Sequence, residues 1–166
     1  MLNFRLISPD HTSLPVGITK PLEDLEDYEY LAMIGSRLLD AAGYRFHMEG
    51  FGLNDWKMDV GYDMSTLMEG LPDLLQGLRK TGAGEIDFYS QGLERTLHFA
   101  RSNQIVKVAC VSRTNWRPNP DLEIHKYEDI ERMLVTLARD FAQALRALSS
   151  PIAELEPFAR WVSWDI

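Results

Sequence analysis

Ile130, Met133, Leu134, Leu137, Phe141, Ala144, Leu145 and Leu148 recur at intervals of three and four residues, the strongest periodicity in the chain. That spacing places all eight on one side of a long α-helix, and such a helix persists only when other structure covers its apolar stripe. The cover is written just upstream. Segments 85–89, 94–101 and 104–113 read as strands, separated by the turn residues Ser90-Gln91-Gly92 and Ser102-Asn103. Connections this short join antiparallel neighbours, so the three form a meander. Strands followed by an amphipathic helix imply an α+β fold, with an antiparallel sheet carrying its helices on one face. A length of 166 residues suits a single domain, 1–166.

The remaining elements are read around that frame. Leu2, Phe4 and Leu6 alternate with Asn3 and Arg5, the pattern of a half-buried strand that stops at Ser8-Pro9-Asp10. Residues 11–27 carry Pro15, Gly17 and Pro21 and are expected to be an exposed connection, with a short extended piece at 14–18. Residues 28–39 fit two templates. A helix aligns Leu31, Ile34, Leu38 and Ala42, whereas Tyr28, Tyr30 and Ile34 favour a strand, and periodicity does not arbitrate. A hairpin through residues 40–43 explains both this segment and the alternating residues 44–49, because Gly43 can take the positive φ of a tight turn. The hairpin is the reading adopted, added to the meander. From Asp63 a helix is expected, with Leu67, Leu71, Leu74, Leu75 and Leu78 as its stripe, Asp63 or Thr66 as its cap, and Gly82 beyond its end. Pro72 should kink or restart it. Trp116-Arg117-Pro118-Asn119-Pro120 is a stiff loop. After the long helix, Ser149 or Ser150 can cap a short one begun by Pro151, with Ile152, Leu155, Phe158 and Trp161 available for packing.

Composition narrows the class of function. A 45% hydrophobic and 10% aromatic content belongs to a packed chain, not a disordered one. No apolar run reaches the roughly 18 residues of a membrane span, so no membrane partner is expected. The segment MLNFRLISPD lacks the basic and apolar regions of a secretion signal, which points to a cytoplasmic protein. Net charge is −8, and it is concentrated: residues 21–73 hold 12 acids against 3 bases, while 75–117 hold 3 acids against 7 bases. Glu23, Asp24, Glu26, Asp27 and Glu29 place five carboxylates within seven positions. Such a run repels phosphate backbones and accelerates encounter with basic proteins, so nucleic acid is a poor ligand and a cationic protein a good one. Oligomeric state is not encoded in any feature of this kind.

Signatures of catalysis are missing. His11, His47, His98 and His125 have no mutual metal-ligand spacing, and the lone Cys110 lies in an apolar strand where it acts as a small hydrophobe. No Gly-x-Ser-x-Gly elbow occurs, and Gly50-Phe51-Gly52 is followed by Asp55 where a dinucleotide loop needs glycine. Asp55, Asp59 and Asp63 recur every fourth residue. On a helix they would stack and could hold a cation, but Asp63 is better employed as a cap, so no metal and no cofactor are expected.

Tyr30 to Glu49, the helix ending LPDLLQGLRK (71–80), GEIDFYSQGLERTLHF (84–99), QIVKVACVSR (104–113) and the amphipathic helix after them follow one another in an order that resembles the bacterial WapI-like immunity proteins. The resemblance covers roughly residues 29–148 and is one of pattern. It implies a non-enzymatic inhibitor that binds and neutralises a cognate toxin of a polymorphic or contact-dependent system, with no catalytic residues to carry over. Combined with the charge pattern, it nominates Glu23, Asp24, Glu26, Asp27 and Glu29, helped by Asp55 and Asp59, as the surface that meets a basic toxin. Two other classes stay open: a ligand-binding or enzymatic domain with a pocket between sheet and helix, marked by His47 and His98 converging with a carboxylate, and a self-assembling structural subunit.

Overall fold

The computed structural model describes residues 1–10 and 21–164, so the extended piece expected at 14–18 lies outside the described residues. Strand β1 (Asn3–Ile7) pairs antiparallel with β2 (Arg45–Glu49), with Phe4 opposite Met48 and Leu6 opposite Phe46. Between them in sequence runs helix α1 (Tyr28–Ala41). This corrects the hairpin expected across residues 28–49: residues 28–39 are helical, and the partner of β2 is the N-terminal strand. Asp27 caps α1 by accepting the Tyr30 N–H at 3.0 Å. Gly43 has the positive φ foreseen for it, 81°, yet it ends a helix instead of turning a hairpin, with the amides of Gly43 and Tyr44 bonded back to the carbonyls of Asp40 and Leu39.

Helix α2 (Ser65–Lys80) follows a single π-helical turn, Val60–Met64, and buries Leu67, Leu71, Leu74, Leu75 and Leu78 as its spacing predicts. It runs unbroken through Pro72. Proline lacks the N–H that would bond the carbonyl of Met68, four residues back. The Tyr28 hydroxyl, from α1, donates to that carbonyl in its place. Gly77 allows close approach at the other end of the helix: a Cβ there would stand 2.2 Å from the Ala83 carbonyl oxygen.

Ala83 begins the larger sheet. Strands β3 (Ala83–Phe88), β4 (Arg95–Ser102) and β5 (Ile105–Ser112) form the expected meander, and β6 (Leu122–Lys126) adds a fourth strand in the order β3-β4-β5-β6. Ile86, Phe88, Leu97, Phe99, Val106, Val108 and Cys110 are buried on one side of it. Helices α2 and α3 (Tyr127–Ala147) cover that side, α2 against β3 and β4, and α3 against β5 and β6. The fold class is α+β as expected. Helix α3 buries the predicted stripe apart from Met133, which is half-buried at its margin, with Leu148 buried just past its end, and it touches β1 as well, which joins the two sheets through one apolar cluster. Ser150 caps the 3₁₀ turn Pro151–Glu154, and helix α4 (Phe158–Trp161) closes the fold, its Phe158 stacked on Tyr28 at 5.7 Å.

Candidate functional site

The acidic run precedes and opens α1. Glu23, Asp24, Glu26, Asp27 and Glu29 are all solvent-exposed, and none forms an ion pair with a described residue. Two of the five also shape the segment: Asp24 accepts the N–H groups of Glu26 (2.9 Å) and Asp27 (3.1 Å), and Asp27 caps the helix. The Glu23 N–H is held by the Tyr30 phenol oxygen at 3.1 Å. Leu25, 54% exposed, stands in the middle of the charges. Burial raises the Tyr28 phenol well above its ordinary range, and the negative fields of Glu69, Asp73 and Glu29 raise it further, so α2 contributes two more carboxylates to this end of the molecule.

Asp55 and Asp59 do not join the run. Both lie near the opposite end of α1, a helix of 14 residues and therefore about 20 Å long, where they line a hollow of about 360 Å³ with Asp40, Arg45, His47 and Lys57. Asp55 is occupied by Lys57, which approaches to 2.7 Å and, mainly by hydrogen bonding, holds the carboxyl below its usual range. Asp59 accepts the Tyr62 N–H at 2.8 Å, and Asp63 reaches back to the Asp59 N–H at 2.8 Å, a reciprocal cap on the π turn. Asp59 is thus the cap, and Asp63, expected in that role, is buried and also accepts the Ser90 hydroxyl at 2.5 Å. The fourfold spacing of the three aspartates ends in local tasks, an ion pair for Asp55 and one shared cap for Asp59 and Asp63.

Arg95 is the residue that sequence reasoning missed. It is only 7% exposed and faces the core side of β4. Its guanidinium carbon sits 4.4 Å from the ring centre of Trp56 and 3.8 Å from that of Trp116. Those two rings arrive on separate loops that are locked together: the Asn119 N–H donates to the Phe51 carbonyl at 3.0 Å, and a Cβ on Gly52 would come within 2.3 Å of the Asn119 oxygen. Nε and Nη1 are buried without a hydrogen-bond partner, and no carboxylate pairs with the side chain among the described residues. Stacking a cation on indole recovers about 0.5 to 2 kcal/mol, less than the several kcal/mol that burying an unpaired charge costs. Burial accordingly lowers the guanidinium pKa. A signal was present, since Arg95 shares strand parity with the apolar Leu97 and Phe99.

No family model, curated protein or solved structure matches this chain.

A second buried charge is structural. Glu123 on β6 accepts the N–H groups of Leu2 (2.5 Å) and Phe51 (2.6 Å) and lies 3.1 Å from His125 Nε2, fastening the larger sheet to the ends of β1 and β2. Desolvation lowers the His125 pKa despite the neighbouring carboxylate. The histidines singled out earlier do not converge: His47 lies on β2, whereas His98 projects from the outer side of the larger sheet, 3.4 Å from Glu85. Burial, aided by Glu123 and opposed by Arg95, pushes the Cys110 thiol up to about 11, consistent with a packing role.

Proposed function

We propose that this chain is a cytoplasmic, non-enzymatic immunity-type protein that binds and neutralises a basic bacterial toxin domain. The carrying observation is the acidic run at the start of α1, whose five carboxylates face solvent without a compensating cation among the described residues. Surface charge normally mixes signs, and an uncompensated constellation around an exposed leucine supplies both steering and an apolar anchor. The resemblance to WapI-like immunity proteins points the same way. Asp55 and Asp59, already engaged by Lys57 and the π turn, are at most secondary in this reading.

The test is association with the toxin encoded beside the gene, followed by stopped flow as salt is raised. Glu23, Glu26 and Glu29 make no side-chain hydrogen bond among the described residues, so reversing these three to lysine leaves the caps of Asp24 and Asp27 intact. Association should slow by about tenfold or more at low salt, with thermal stability lowered only by the modest amount, about 1 kcal/mol, that a cation in place of Glu29 costs in the first turn of α1. Binding that is indifferent to salt and to the triple reversal would refute the acidic contact, and the absence of any toxin partner would refute the immunity role.

A further inference from the structure

A cleft of about 690 Å³ opens between the π turn and the connection from β3 to β4, with Arg95 and Trp56 among its lining residues. Tyr62 and Tyr89 line it too, 71% and 66% exposed, two large aromatic side chains left in water on either wall. The cleft therefore combines apolar ring surface with one deeply set cation that no side chain among the described residues neutralises. We propose that it binds a small organic carboxylate with an aromatic body, the carboxylate meeting the Arg95 guanidinium and the ring resting on the rim tyrosines.

Three features select that class of ligand. A guanidinium donates a charge-assisted hydrogen bond to a carboxylate, and here Nη2 is the nitrogen left to do so, Nε and Nη1 being buried while the Trp56 and Trp116 rings hold the group in place. The volume exceeds what an inorganic anion fills, leaving room for a ring against Tyr62 and Tyr89. Asp59 and Asp63 also border the cleft, and although both accept hydrogen bonds from the chain, their charges disfavour a dianion such as phosphate. The site lies at the far end of α1 from the acidic run, and the inference does not rest on toxin binding.

Calorimetric titration with benzoate, phenylacetate and indole-3-acetate, set against benzamide and inorganic phosphate, tests it. At least one of the three carboxylates should bind saturably and raise the melting temperature, with benzamide and phosphate weaker by about tenfold or more, as expected for a charge-assisted contact. Arg95→Met should abolish the binding. Should that variant fail to fold, Tyr62→Ala combined with Tyr89→Ala changes only exposed side chains and should weaken affinity several-fold. No saturable binding of any of the three acids, equal affinity for benzamide or phosphate, or full affinity in either variant would overturn the proposal.

Discussion

The phenol of Tyr28 donates to the main-chain carbonyl of Met68, the acceptor that Pro72 leaves without its helical donor. One proline thereby creates, on the flank of α2, the docking point for the first residue of α1. Tyr28→Phe should lower unfolding free energy by about 1 to 3 kcal/mol, the usual cost of stranding a buried acceptor. In a Pro72→Ala background the restored N–H can serve Met68, so the same change should cost less. A double-mutant cycle by urea denaturation measures the difference, and strict additivity would break the link.

Gly77 should invert a familiar rule. In an exposed helix interior, glycine to alanine stabilises by about 1 kcal/mol. Here the added methyl would meet the Ala83 carbonyl oxygen at 2.2 Å, where α2 turns into β3. Gly77→Ala is expected to lower the melting temperature; an increase would mean that the turn yields without cost.

Stability should fall on mild acidification. His125 is buried, and its pKa lies below the ordinary 6.5, with desolvation outweighing the attraction of Glu123 and Asp129. The unfolded chain then binds the proton more readily than the folded one, so stability is full above pH 6.5 and declines as pH drops toward the folded value. Replacing His125 with Gln should flatten that slope in pH-dependent denaturation, and an unchanged slope would reassign it to another group.

Cys110 should resist alkylation. With the thiol pushed up to about 11 and the side chain buried, iodoacetamide at neutral pH should modify the native protein at a rate set by unfolding. Rapid labelling without loss of structure would contradict the core placement.

The stripe of α3 and the meander were legible because the hydrophobicity of most of their residues agrees with the side they face, Arg95, Ile105 and Val111 being the exceptions in the meander. Two elements broke that agreement. In β6 the apolar Leu122 and Ile124 point outward while Glu123 and His125 are buried, so the alternation carries the wrong sign for a core strand and the strand went unread. In residues 28–39 apolar side chains crowd both templates, and the deciding mark was the cap at Asp27, which sequence reading counted only as one charge among five. The acidic run itself was plain in the composition. Arg95 was harder, because a cation within a strand reads as solvent-facing until its parity with Leu97 and Phe99 is weighed. What no linear pattern contained was the meeting of Trp56 and Trp116 around it, a product of two distant loops.

The acidic segment bonds to its own amides through Asp24, to the helix through Asp27 and to Tyr30 through the Glu23 N–H. A ligand that collides with it finds the charges already arranged, so little chain entropy remains to be surrendered at contact. Loosening the segment by Tyr30→Phe, with every carboxylate kept, would separate the worth of that rigidity from the worth of the charge.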